Sequence, residues 1–246
     1  LKNYKEIVTK YPNSTEAKEA VTNAKNVYID LGTVDEYAMW AKGISFINIT
    51  DAEIDNTTYE AAENKFLAND ILKAIEGFKK YIKAFPKGLH ALQANFYLAQ
   101  LLVKTNLQED AFSNYQYVIN QPQSEFSEEA LNKLSQLLLE KEDWSNAIPL
   151  LERLEIEANV PLNIIYAQSN LMKGYYQSYE YTKAVEYAEK ILLQDKTETI
   201  VEYDAKIIIA RAAFQTQDYA KAEEFYTEVE RNASGESVSY THLTLP

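Results

Sequence analysis

Metal or acid–base chemistry needs histidines, cysteines or paired carboxylates at workable spacing, and these 246 residues offer little of it. There are two histidines, His90 and His242, and no cysteine. Neither histidine has a second one, or a suitably spaced carboxylate, with which to hold a metal ion. His90 reads as a solvated linker residue. The missing cysteines exclude disulfides, thiolate metal sites and thiol nucleophiles. No glycine-rich phosphate loop, G-x-S-x-G or H-E-x-x-H string occurs. The 37 acidic residues fall in strings such as "EKED" (Glu140–Asp143) and "VEYAEKI" (Val185–Ile191), where charge solubilises a helix face or turn. No catalytic, cofactor-binding or metal-binding residue is expected, and the chain is read as non-enzymatic. A net charge of −13 argues against a nucleic-acid partner, which requires a basic stripe. No run approaches the ~18 apolar residues of a membrane-spanning helix.

What remains is a chemistry of surfaces, and its spacing is regular. Ala74, Ala111, Ala147, Ala184 and Ala222 recur at intervals of 36 to 38 residues, each in a similar string. The clearest copies are "DILKAIEGF" (Asp70–Phe78), "DWSNAIPLL" (Asp143–Leu151), "YTKAVEYA" (Tyr181–Ala188) and "DYAKAEEFY" (Asp218–Tyr226). A period in this range marks units that cannot bury their apolar faces alone and must stack. Each unit holds two helical stripes. Leu92, Phe96, Ala99 and Val103 form one, and Ala111, Tyr115, Val118 and Ile119 the next. Pro12, Pro86, Pro122 and Pro161 punctuate the units, and Thr57–Glu60 and Thr199–Glu202 have capping-box spacing at expected helix starts. The expected fold is all-α, a right-handed α-solenoid of stacked antiparallel helix hairpins.

These strings resemble the tetratricopeptide repeat family, whose signature has small residues at positions 8 and 20 and a bulky one at 24. With the five alanines at position 20, position 8 is Ala62, Ala99, Ser135, Met172 and Ala210, and position 24 is Phe78, Tyr115, Leu151, Ala188 and Tyr226. The fourth unit exchanges the expected sizes at Met172 and Ala188. Five repeats are expected at about 59–87, 88–124, 125–160, 161–197 and 198–233. Residues 1–50 are expected to hold degenerate or partial upstream helices, turning at Gly32, and 51–58 an inserted loop. Residues 234–246 look like a non-domain tail. The chain looks like a fragment with ragged ends. Tyr4, Ile7, Val8 and Tyr11 at the start, and Phe225, Tyr226 and Val229 at the end, are expected to lack cover.

The resemblance implies an interaction scaffold whose first helices line a concave groove for a protein or peptide partner. Carried onto this chain, the groove positions are Tyr59, Glu63, Gln93, Phe96, Gln100, Asn132, Gln136, Tyr166, Ser169, Lys173, Tyr176 and Arg211. Phe66, Ile207 and Phe214 lie on the same rows. Positions that would grip a C-terminal carboxylate are Tyr59, Glu63, Phe96 and Gln100, which lack the cations for it. The linkers "YPNSTEA" (Tyr11–Ala17) and "FPKGLHA" (Phe85–Ala91) resemble those of the bacterial envelope subgroup related to BamD and CpoB. That likeness implies a periplasmic or outer-membrane setting. A cytoplasmic adaptor, or a spacer array with no ligand of its own, are the alternatives.

Overall fold

A computed structural model describes residues 1–194 and 198–233. Among them thirteen α-helices and no strand are found. The chain divides into two compact units, Leu1–Phe126 and Ser127–Pro246. The first holds α1 (Lys2–Lys10), α2 (Thr15–Leu31), α3 (Val34–Lys42), α4 (Asp51–Leu67), α5 (Ile71–Ala84), α6 (Ala91–Lys104) and α7 (Gln108–Ile119). The second holds α8 (Ser127–Leu139), α9 (Trp144–Glu157), α10 (Pro161–Gln177), α11 (Tyr181–Leu192), α12 (Thr199–Gln215) and α13 (Tyr219–Ala233). Within each unit consecutive helices pack as antiparallel pairs, and each pair stacks on the next. The tail from residue 234, and residues 195–197 at an expected repeat boundary, lie outside the described residues.

The small positions are where paired helices meet. Ala74, Ala111, Ala147 and Ala184 are wholly buried, as are Ala99, Ser135, Met172 and Ala210 opposite them. The α4–α5 crossing is so close that a Cβ on Gly77 would stand 2.9 Å from the Ala62 Cβ. Met172 and Ala188, which exchange the expected sizes in the fourth unit, are both fully buried.

A second periodicity lies in the turns. Gly32, Asn69, Asn106, Glu142, Tyr179 and Gln217 all have positive φ, between 56° and 71°. Each ends the first helix of a pair with the same two bonds. At Glu142 these run from its own N–H to the Leu139 carbonyl and from the Asp143 N–H to the Leu138 carbonyl, both 3.0 Å. This is the Schellman closure, which uses carbonyls that a helix end leaves unpaired. In three of the turns the next residue is an aspartate that caps the second helix, Asp70, Asp143 and Asp218 accepting from the N–H three residues on. Gly32 keeps the spacing, so α2–α3 is a further copy of the hairpin.

Several expectations need correction. Residues 51–58 are not an inserted loop but the first turns of α4. The Thr50 hydroxyl accepts from the Glu53 N–H at 3.1 Å, and Asp51 and Glu53 favour the positive end of the helix. Thr57 and Thr58 each return a hydroxyl to a carbonyl four residues back at 2.7 Å, so these polar residues cost the helix little. Thr57 is therefore an interior residue and not a cap. At α12 the cap position is Glu198, with no side-chain bond, and Thr199 is already helical. Val8 is buried in a cluster with Val21, Tyr28 and Tyr37, and Tyr4 and Ile7 pack against it. Tyr11 alone of that set is exposed. At the other end Val229 is buried, because α13 lies along α12.

Candidate functional site

The polar and aromatic positions of the first helices converge best in the second unit, where α8, α10 and α12 stand in sequence. Asn132 on α8 donates to the Asn163 side chain on α10 at 2.7 Å and accepts from Gln136 at 2.6 Å. The Asn163 amide also donates to Glu128 at 2.7 Å, and that carboxylate accepts from the backbone N–H groups of Asn159 and Val160, which precede α10. Burial would raise the Glu128 carboxyl, but these bonds outweigh it and hold the group below its usual value. One helical turn further, the Tyr166 hydroxyl bonds Ser135 on α8. Burial raises that phenol, with the Ser135 bond opposing.

Between α10 and α12 the contacts are charged. The Lys173 ammonium lies 2.7 Å from the Asp204 carboxylate. Tyr176 packs against Tyr181 with ring centroids 5.5 Å apart. Its phenol is raised by burial, with the nearby Arg211 guanidinium pulling the other way. Tyr166, Ser169, Lys173, Tyr176 and Arg211 are all half-buried, so each keeps some surface open to solvent. α10 has 17 residues, of which Lys173 is the only charged one.

In the first unit the corresponding residues are spent on packing. Tyr59 is only 4% exposed, stacks on His90 at 4.2 Å and donates to Glu63 at 2.9 Å. His90 is thus no free linker residue, and its ring also meets Asn56 at 2.6 Å and Gln93 at 3.4 Å. Phe96 is buried against Phe126, and Phe66 stacks on Tyr97. Gln100 is half-buried on α6. Here the first helices present a saturated aromatic ladder, with Glu63 and Gln93 its partly exposed polar members.

Two clusters escaped the sequence reading. Asp55, buried on α4, accepts from the Tyr81 hydroxyl at 2.5 Å and from the Leu89 N–H at 2.9 Å. The same hydroxyl accepts from the His90 N–H at 2.9 Å, so one carboxylate pins the linker ahead of α6. Gly88 sits under it, and a Cβ there would come within 2.6 Å of both Asp55 and Tyr81 oxygens. In the second unit Glu155 accepts from Gln168, Tyr187 and Lys190 at 2.9 to 3.2 Å, while Tyr175, stacked on Tyr187, donates to Glu152. Nothing in the residue spacing marks either set, since each joins residues of different helices and linkers, up to 34 or 35 positions apart. Among the described residues no group of three or more His, Asp or Glu side chains could hold a metal ion, and no helix is long and apolar enough to cross a membrane.

The paired geometry has known counterparts. Residues 172–237 match the tetratricopeptide repeat family model. A crystal structure of MamA protein is similar at 18% identity with a TM-score of 0.50, covering 78% of this chain and 98% of that one. The likeness shows the shared fold of stacked helix pairs. A structure of Podospora anserina putative kinesin light chain repeats, described as nearly identical TPR-like repeats, is similar at 15% identity, TM-score 0.45, over 78% of this chain and 100% of that one. Pseudomonas aeruginosa pilF is similar at 13% identity, TM-score 0.45, over 90% and 94% of the two chains. No curated protein sequence matches the chain.

Proposed function

We propose that this protein is a non-catalytic tetratricopeptide scaffold that binds a protein or peptide along the α8–α10–α12 face of its second unit. One observation carries the reading. In a chain with 37 acidic residues, the 17-residue α10 has none, and it offers Tyr166, Ser169 and Tyr176 half-open to solvent. A helix without carboxylates, bearing aromatics and hydroxyls, suits a surface that must shed its water on binding. The half-buried side-chain amide of Gln136 lies beside it and can bond a peptide backbone, held in place by the buried Asn132.

The experiment compares the intact protein with a Tyr166→Ala/Tyr176→Ala variant as bait in extracts of the source cell. Loss of a specific co-purifying protein from the variant, at unchanged helicity by circular dichroism, supports the reading. A partner retained by both, or none captured by either, refutes it. The envelope setting is part of the same proposal and draws on the linker strings at Tyr11–Ala17 and Phe85–Ala91. Fractionation that finds the protein with soluble cytoplasmic markers would refute it.

A further inference from the structure

A cleft of about 140 Å³ lies between the α2–α3 and α4–α5 hairpins, with helices of the first unit on both sides. Three departures from the repeat leave it open. One position before the small residue of the first helix, the four later hairpins carry Leu98, Leu134, Leu171 and Ile209, all buried, where α4 has Ala61. Four positions on they carry Leu102, Leu138, Tyr175 and Ala213, where α4 has Lys65. Three positions after the buried alanine, α5 has Gly77, against Asn114, Leu150, Tyr187 and Phe225. Ala61, Lys65 and Gly77 all line the cleft, together with the buried Val34 and Ala62.

The charge on its wall is unbalanced. Lys73 and Lys80 also line the cleft, but Lys73 pairs with Asp70 at 3.0 Å and Lys80 with Asp35 at 2.6 Å. Lys65 is half-buried, and its ammonium donates to the Asp30 carbonyl at 2.7 Å. That acceptor is a neutral group near the end of α2, so the charge of Lys65 and two of its N–H donors stay available. Among the described residues no carboxylate pairs with it. The one acid lining the cleft, Glu76, is exposed.

We infer that this cleft binds a small carboxylic acid whose apolar body is no larger than a single six-membered ring. Volume sets the size, since an apolar cavity of about 150 Å³ holds a benzene-sized molecule. The body displaces water from Val34, Ala61 and Ala62, and the carboxylate takes the open Lys65 donors in charge-assisted bonds. No sibling hairpin combines the alanine with the lysine. The cleft is separate from the α8–α10–α12 face and stands whether or not that face binds.

The test titrates the full chain with sodium benzoate, followed by NMR. Saturable binding is expected, and benzyl alcohol, which keeps the ring without the charge, should bind about tenfold or more weakly. Lys65→Leu, which copies the Leu102 position, should erase that preference. Ala61→Leu, which copies Leu98, should fill the cleft and abolish benzoate binding. Ala61→Val replaces it if circular dichroism shows that the leucine disturbs the fold. No saturation by about 10 mM benzoate, equal binding of benzoate and benzyl alcohol, or benzoate binding that survives the Ala61 variants overturns the proposal. A peptide ending in a free phenylalanine carboxylate that binds more tightly than benzoate assigns the cleft to a partner's chain end and overturns it as well.

Discussion

Glu142→Asn should make this protein more stable, although it removes a charged residue from an exposed turn. Glu142 sits at φ 57°, in the left-handed region that a side chain with a Cβ enters at a cost of roughly 1–2 kcal/mol. Asparagine tolerates that region far better, and at the equivalent turns it is already present as Asn69 and Asn106. The two backbone bonds that close the turn do not involve the Glu142 side chain and persist in the variant. A gain of about 1 kcal/mol follows, or about 0.3–0.5 M in the urea midpoint for a slope of roughly 2–3 kcal/mol/M. Trp144 lies two residues away in the same unit, and with Trp40→Phe its fluorescence reports that unit alone. The reciprocal change, Asn106→Glu, should lower the midpoint of the first unit by a similar amount, read through Trp40 in a Trp144→Phe background. Glu142→Asn leaving the midpoint unmoved, or Asn106→Glu raising it, would refute the idea that the turns store backbone strain.

Ala111→Leu should overpack the α6–α7 crossing, where the alanine is wholly buried, and cost roughly 1–3 kcal/mol in urea unfolding. Asp55→Ala strands the Tyr81 hydroxyl and the Leu89 N–H without their acceptor. A loss of about 1–3 kcal/mol is expected, with faster hydrogen exchange at Leu89. The Glu128 carboxyl is held below its usual 4.5 in the folded state, so its stabilising effect is complete above that value and is lost as pH falls through the folded one. Glu128→Gln should therefore flatten the acid limb of the stability profile below about pH 5, measured by urea midpoints across pH. Burial, with Glu53 beside it, pushes the Tyr37 phenol up to about 12, and burial likewise raises Tyr59, Tyr81, Tyr175 and Tyr187. Stability should decline as pH rises above 10, where the unfolded phenols ionise first, and tyrosinate absorbance should rise together with loss of helicity.

The hairpin repeat was legible because it is written in residue size. Alanine at a crossing is demanded by contact distance, so its period survives while other positions drift. Asp70, Asp143 and Asp218 open three of those strings, but their capping role shows only in the structure. The left-handed conformation of Glu142, Tyr179 and Gln217 was not legible, because glutamate, tyrosine and glutamine carry no local preference for it; there the fixed packing of the two helices imposes it. The start of α4 was misread for a related reason. "ITDAEIDNTT" is polar and rich in β-branched residues, and it is the Thr50 cap, the bond of Asp55 to the following linker and the burial of Thr57 that hold it helical. Of the candidate groove, sequence position identified which residues share a row. It did not show that Tyr59 and Phe96 are consumed by packing, since an aromatic reads alike whether its neighbour is a ligand or His90.

The constancy of the turns bears on how such a chain can change in length. In the five hairpins from α4 to α13, the left-handed residue stands seven positions after the matching first-helix residue (Ala62, Ala99, Ser135, Met172 or Ala210) and five before the buried alanine. The drift between 36 and 38 residues therefore lies between the buried alanine of one hairpin and the matching first-helix position of the next, in helix ends as well as joints. A residue added inside a turn would rotate the second helix by about 100° and bury its charged side, so length change is tolerated in that interval and not in the turn. The joints differ. The 85–90 segment is fastened to Asp55, whereas 120–126 ends at the boundary between the two units. An epitope or protease site for dissecting the protein belongs at 120–126, and the gene's own history of length change should be concentrated at the same place.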